Sequence, residues 1–210
     1  MSSNEPVKSS MTEKVLSELR TAINNGTLIP GQFLTEKEIS EKYNVSKTPA
    51  REALGILCQE EILNKMPRKG YIVKAFSLEE VINLIRFREG LEMGIIRLAI
   101  KFATDEELDE LCALADWSID PEDPEFSRRY SAYNLDFHMF IARLSKNPYL
   151  ISAFENTMIK LRSSLVSGGQ RHTASDLQVH VDLAAAMKRR DVEEACRIES
   201  DDLENSIARM

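Results

Sequence analysis

Cysteine is scarce, with only Cys58, Cys112 and Cys196 among 210 residues. Their odd number and wide spacing supply neither a disulfide framework nor a zinc knot, so they are expected to be buried free thiols without a chemical role. Long apolar runs are missing too. The longest such stretch, Gly94 to Phe102, is interrupted by Arg97 and Lys101, and Met1 to Ser10 is polar. Neither a membrane span nor a secretory leader is therefore expected, which points to the cytoplasm. There is no glycine-rich phosphate loop, no internal repeat and no low-complexity tract. What is present is ordinary globular material, 43% apolar and 29% charged, enough for one large domain or two small ones.

The net charge of −7 taken alone argues against a nucleic-acid partner, but it is unevenly divided. Residues 1–76 hold 11 Lys and Arg against 9 Asp and Glu, a balance of +2, which leaves −9 for residues 77–210. A mildly basic module is joined to an acidic one. That asymmetry permits DNA binding without demanding it.

Helix starts are unusually legible. Thr35 with Glu38, Ser77 with Glu80, Thr104 with Glu107, Ser175 with Gln178 and Asp191 with Glu194 have the spacing of capping boxes, in which two free backbone N–H groups are satisfied reciprocally. Asp123-Pro124 and Asn147-Pro148 give two further starts, because proline suits the first helical position. From these starts, helices are expected at about Thr12–Asn25, Glu36–Tyr43 and Lys47–Glu60, followed by a hairpin and then six helices from Leu78 onward. The hairpin, Ile62–Met66 and Tyr71–Lys74 around Pro67-Arg68-Lys69-Gly70, is the only β structure expected. The fold class is mainly α: a winged helix-turn-helix over residues 8–76, then an antiparallel all-helical bundle over 77–210.

Within the first module the helix after Ser46 has two distinct faces. Ala50, Ala53, Leu54, Leu57 and Cys58 recur at helical spacing on one side, while Lys47, Thr48 and Arg51 project from the first turns of the other. A recognition helix has this polarity: its N-terminal end enters the major groove, where Arg pairs with guanine and Thr meets bases or phosphate. Ser46 is placed to cap it. Arg68 and Lys69 at the hairpin tip would form a wing on phosphates or the minor groove. Any antiparallel helix pair can mimic the arrangement, so a purely structural helix pair stays open on this pattern alone.

Leu28-Ile29-Pro30-Gly31-Gln32-Phe33-Leu34-Thr35-Glu36, then Val45-Ser46-Lys47-Thr48-Pro49-Ala50-Arg51-Glu52-Ala53-Leu54, then Pro67-Arg68-Lys69-Gly70-Tyr71-Ile72-Val73 together resemble the GntR family of transcriptional regulators. The resemblance covers residues 12–76. It implies DNA contacts from Lys37, Ser46, Lys47, Thr48, Arg51, Arg68, Lys69 and Gly70.

The second module is similar to the FCD effector domain of the FadR subfamily, on Arg88 to Glu92, Asn134 to His138, Asn147-Pro148, His180 to Leu183 and Arg190 to Ala195. Six helices would place it with the shorter, VanR-like members. Many members hold a divalent metal through an Asp or Asn, a His four residues later, and two further His. Here those positions fall on Asn134, His138, His180 and Asp202, with Asp202 where the family has its last histidine. Asn134 and His138, at i and i+4, share a helical face. One carboxylate and two imidazoles suit Zn, Ni or Mn. Alternatively, His138 is a hydrogen-bonded core histidine and Asp202 a solvated charge. Arg88 has two readings: it meets an effector carboxylate through its planar fork, or it pairs with Glu92 one turn on. His172 is expected in a solvent-exposed loop.

The resemblance implies a homodimeric repressor that binds operator DNA and responds to a small organic acid. The rival reading is a metal-dependent helical enzyme acting on small organic acids, since such a ligand set with an open position also serves catalysis. That rival leaves the basic wing and the reading helix unused.

Overall fold

The computed structural model describes residues 10–118, 120, 122, 123, 125–165 and 174–210, without the side chains at 127, 128, 165, 174 and 175. His172 lies outside the described residues. The chain forms two compact units, with the division between Ala75 and Phe76 and the segment from Arg162 at the end of the seventh helix grouped with the first.

In the first unit, α1 (Met11–Asn24) opens on a complete capping box between Ser10 and Glu13, and α2 (Glu36–Lys42) on the one between Thr35 and Glu38. The third helix, α3 (Lys47–Gln59), packs Ala50, Ala53, Leu54 and Leu57, all fully buried, against Val15, Leu19 and Ile23 of the α1 side. Thr12 donates to Glu52 at 2.6 Å and Arg20 to Glu60 at 2.5 Å across the same pair of helices. The turn between α2 and α3 passes through Asn44 at φ +51°, a left-handed position where asparagine is one of the few tolerated side chains.

The hairpin is β2 (Leu63–Met66) and β3 (Gly70–Val73), antiparallel with Met66 opposite Gly70. Its three-residue turn sets Arg68 at φ +63°, and Gly70 follows at φ +102°. A third strand, β1 (Phe33–Leu34), pairs with β3 and makes that strand central in the order β1-β3-β2, so the hairpin is not the only β structure as expected. Two residues are too few to carry a strand periodicity, which is why this strand leaves no mark in the sequence pattern.

Among its described residues the second unit contains helices and no strand: α4 (Leu78–Phe102), α5 (Asp105–Ala115), α6 (Phe126–Leu144), α7 (Pro148–Leu165) up to Leu161, α8 (Ala174–Lys188) and α9 (Val192–Ala208). Capping boxes at Ser77 and Thr104 are complete, Asp191 accepts from the Glu194 N–H, and Asn147 accepts from the N–H groups of Tyr149 and Leu150. Two expected starts differ. The helix α8 already contains Ser175, and α6 begins at Phe126 with Glu125 as its cap, beyond the Asp123-Pro124 start.

The apolar core is shared by Ile95, Ile96 and Ala99 of α4, Leu108 and Leu111 of α5, Phe137 and Ile141 of α6, Phe154 and Met158 of α7, Leu183 of α8 and Leu203 of α9. Arg190, held at φ +58°, donates to the carbonyls of Ile100 and Ala103 at 2.5 and 3.1 Å and pairs with Asp105 at 2.6 Å. It thereby satisfies the open end of α4 where the chain turns into α5. All three cysteines are free thiols, but only Cys196 is buried; Cys58 and Cys112 are half-buried.

Candidate functional site

On the first unit, Ser46, Lys47, Thr48 and Arg51 are exposed at the start of α3, Lys37 is exposed on α2, and Arg68 and Lys69 are exposed at the tip of the wing. Ser46 has the backbone of an N-cap, but its side chain makes no capping bond, contrary to the sequence expectation, and its hydroxyl stays on the surface. Pro49 explains part of this, because it removes the N–H at the third helical position where a cap bond commonly ends. Gly70 is required by the fold itself: a Cβ there would lie 2.4 Å from the Leu34 carbonyl oxygen. Arg51 is not simply free. Its Nε and Nη2 each donate to a Glu36 carboxylate oxygen at 2.9 Å.

On the second unit, a buried ionisable cluster sits inside the bundle. Arg88 and Glu92 stand one turn apart on α4, and Arg88 Nε donates to Glu92 Oε2 at 2.8 Å while its Nη2 reaches Glu199 Oε1 of α9 at 3.3 Å. The guanidinium also lies 6.0 Å from the Phe154 ring centroid. Burial works against its charge, but Glu92 and Glu199 outweigh burial and keep it protonated. Burial likewise raises both carboxyl groups. At Glu92, Arg88 and His138 reverse the effect and hold it ionised, whereas at Glu199 the neighbouring Glu92 charge adds to burial and pushes it well above 4.5.

His138 of α6 is 2% exposed, and its Nδ1 lies 2.8 Å from Glu92 Oε1, off the line of an aligned hydrogen bond. Its Nε2 is buried with no hydrogen-bond partner among the described residues. The His180 ring of α8 crosses it nearly edge to face at 5.1 Å and stacks on Phe137 at 4.3 Å, with Tyr133 at 5.2 Å and Tyr130 at 5.9 Å. Asp202 of α9 is raised by burial, with Arg88 and His138 acting against the rise. Asn134 is half-buried one turn before His138.

The structure thus brings His138 and His180 together and sets Glu92 and Glu199 beside His138. Glu92, His138 and Glu199 offer ligand atoms within 4.8 Å of one another. Glu199 escaped the sequence reading, although it shares a face of α9 with Asp202 at i and i+3. Of the two roles the sequence leaves to Arg88, the ion pair with Glu92 is the one displayed. A divalent ion fits poorly between Glu92 and Glu199, where Arg88 already supplies the positive charge. It fits better at Nε2 of His138. An acidic residue at the other ring nitrogen is the usual companion of a ligating histidine, and a buried imidazole nitrogen without a partner calls for a donor or a metal.

A winged three-helix module with exposed basic side chains at the start of α3, followed by a helical unit enclosing such a cluster, defines a two-module DNA-binding regulator. Residues 11–73 match the bacterial regulatory proteins of the gntR family and residues 83–205 match the FCD domain, so the chain belongs to the GntR family of transcriptional regulators, with an FCD domain. It is 27% identical over 192 residues to the HTH-type transcriptional regulator McbR of Escherichia coli, covering 90% of this chain and 86% of that one. It is 28% identical over 152 residues to the gluconate operon transcriptional repressor of Bacillus subtilis, covering 71% and 61%. The solved structure of E. coli McbR/YncC has the same fold, with TM-score 0.82 at 24% identity, covering 96% of this chain and 97% of that one. The family makes the chain a regulator and not an enzyme. No described helix is long and apolar enough to cross a membrane.

Proposed function

We propose that the protein is a cytoplasmic, homodimeric repressor whose operator affinity is set by a small carboxylate metabolite bound in the FCD unit beside a divalent ion. The observation that carries the effector half is the buried Nε2 of His138, unpartnered among the described residues and facing an interior that also contains His180. His138 and His180 would hold the ion with Asn134 and Asp202, while Glu92 orients the His138 ring. Two imidazoles and one carboxylate leave Zn, Ni or Mn with residual positive charge, which an anionic metabolite can meet. Arg88, engaged by Glu92 and Glu199, serves the effector indirectly by keeping both acids in place. The relative that represses a gluconate operon makes sugar acids the first class to try. Lys37, Ser46, Lys47, Thr48, Arg51, Arg68, Lys69 and Gly70 would contact operator DNA. Two such modules are needed for two half-sites about one helical turn (~34 Å) apart.

The test combines elemental analysis with calorimetry. Wild type reconstituted with Zn, Ni or Mn should hold one ion per chain and His138→Ala none. A sugar acid or dicarboxylate should bind the loaded protein and shift its affinity for a duplex selected from random DNA by about 5–150-fold. Wild type that stays metal-free rejects the ion, and carboxylates that bind without moving DNA affinity reject the effector role. A monomeric mass in light scattering rejects the dimer.

A further inference from the structure

The ion pair between Glu36 and Arg51 has no evident purpose in the fold. The Arg51 side chain is 64% exposed and that of Glu36 28%, and an exposed pair of this kind adds little stability. Its geometry is nevertheless defined. Nε and Nη2 of Arg51 lie 2.9 Å from Oε1 and Oε2 of Glu36, and the Tyr71 hydroxyl lies 3.4 Å from the same Oε1. Three elements converge there: Glu36 opens α2, Arg51 lies early in α3, and Tyr71 stands on β3 with its ring buried.

A guanidinium presents five N–H groups in two forks, one formed by Nε with Nη2 and one by the two terminal nitrogens. Glu36 occupies the first. In the second, Nη1 and the remaining N–H of Nη2 make no hydrogen bond among the described residues, and together they form a fork that matches O6 and N7 of guanine. A carboxylate beside DNA repels phosphates, so the same contact lowers the attraction of Arg51 for any backbone while leaving its fork geometry intact.

We propose that Glu36 is a specificity-determining positioning residue, which presents the terminal fork of Arg51 to a guanine edge and suppresses its use as a plain positive charge on phosphate. The inference rests on α3 being the helix that reads bases. Holding the side chain in one rotamer lowers the entropy lost when the base contact forms, and partial neutralisation penalises phosphate, which rewards charge, more than guanine, which rewards geometry. Discrimination rises while overall affinity falls.

Wild type, Glu36→Gln, Tyr71→Phe and Arg51→Ala full-length proteins are to be compared on a duplex selected by wild type from random-sequence DNA, on its single-base-pair variants and on a scrambled duplex, at two salt concentrations. Arg51→Ala should lose about tenfold or more of the preference at one base pair per half-site. Glu36→Gln should lose preference at the same base pair, again about tenfold, yet bind the scrambled duplex more tightly and with a salt slope steeper by about one. Tyr71→Phe should move the same way by a smaller factor, and unchanged far-UV circular dichroism establishes that each variant is folded. Preference retained within about twofold in Glu36→Gln, while Arg51→Ala abolishes it, overturns the positioning role. Loss at a different base pair overturns it as well, since Glu36 would then read a cytosine amino group itself. If Arg51→Ala weakens every duplex alike, the base-reading role of α3 fails and the inference falls with it.

Discussion

Replacing Arg88 with Met would remove the cation that serves two buried acids while roughly preserving side-chain length. The Arg88, Glu92 and Glu199 side chains are 10%, 5% and 1% exposed, so water cannot take over the role of the guanidinium. Burial and the Glu92 charge already push the Glu199 carboxyl well above 4.5, so the loss of the cation falls chiefly on Glu92, which Arg88 holds low. Without Arg88, Glu92 either stays charged in an apolar interior or takes up a proton. Proton uptake sets a ceiling on the cost. Relative to an unfolded value of 4.5, protonating one carboxyl at pH 7 requires 2.5 pH units, or about 3.4 kcal/mol, and at pH 5 only about 0.7 kcal/mol. A buried pair and a well-packed neutral substitute differ little otherwise.

In the variant the folded-state pKa of Glu92 is raised, so the folded protein binds the extra proton and its stability falls as pH rises above 4.5. In wild type Glu92 is depressed, and its contribution is present above 4.5 and lost only as pH falls through its folded value. Arg88→Met should therefore cost about 3 kcal/mol at pH 7 and under about 1 kcal/mol at pH 5. Urea titrations with chelator present would measure this through the fluorescence of Trp117, the single tryptophan, which stacks on Tyr133 at 4.5 Å in the same unit. A penalty that is the same at both pH values, or below about 1 kcal/mol at pH 7, refutes the assignment of charge within the cluster.

Gly70→Ala should cost about 1–3 kcal/mol or more from the positive φ alone, and the clash with the Leu34 carbonyl should separate β1 from β3; thermal melts and loss of DNA binding would report it. Phe137→Ala, at a fully buried position beneath His180, should lower stability by about 3–5 kcal/mol in urea titrations. Glu107 is held below the usual carboxylate value of 4.5 chiefly by Lys146, so its contribution is present above that pH and lost as pH falls through its folded value. Glu107→Gln should flatten the acid side of a melting-temperature profile, and an unchanged slope below pH 5 would dismiss the pair as a contributor.

Much of the fold was legible because it is written in local chemistry. Thr35, Ser77 and Thr104 form the capping boxes their spacing implies, and the apolar face of α3 is buried at Ala50, Ala53, Leu54 and Leu57. What escaped depends on contacts distant in sequence. The two residues of β1 become a strand only because β3 is there to pair with them, 37 to 39 positions later. Glu199 joins the cluster only because α9 returns to α4, which sets it 111 positions from Arg88. Glu36 was visible as part of a helix start, but its engagement of Arg51 across 15 positions was not. Ser46 shows the opposite failure: the local signal for a cap is present, and the bond is not made.

The short strand β1 has a mechanical consequence. It is separated from α2 by Thr35 alone, and it is hydrogen-bonded to the central strand of the wing. The hairpin therefore cannot swing as an independent lever, because any tilt of β3 is transmitted through one residue to the start of α2 and on to the reading helix packed against it. Wing and α3 are thus tied together through β1, Thr35 and α2. A bend between wing and α3 would have to break the pairing of β1 with β3 or distort the chain at Thr35.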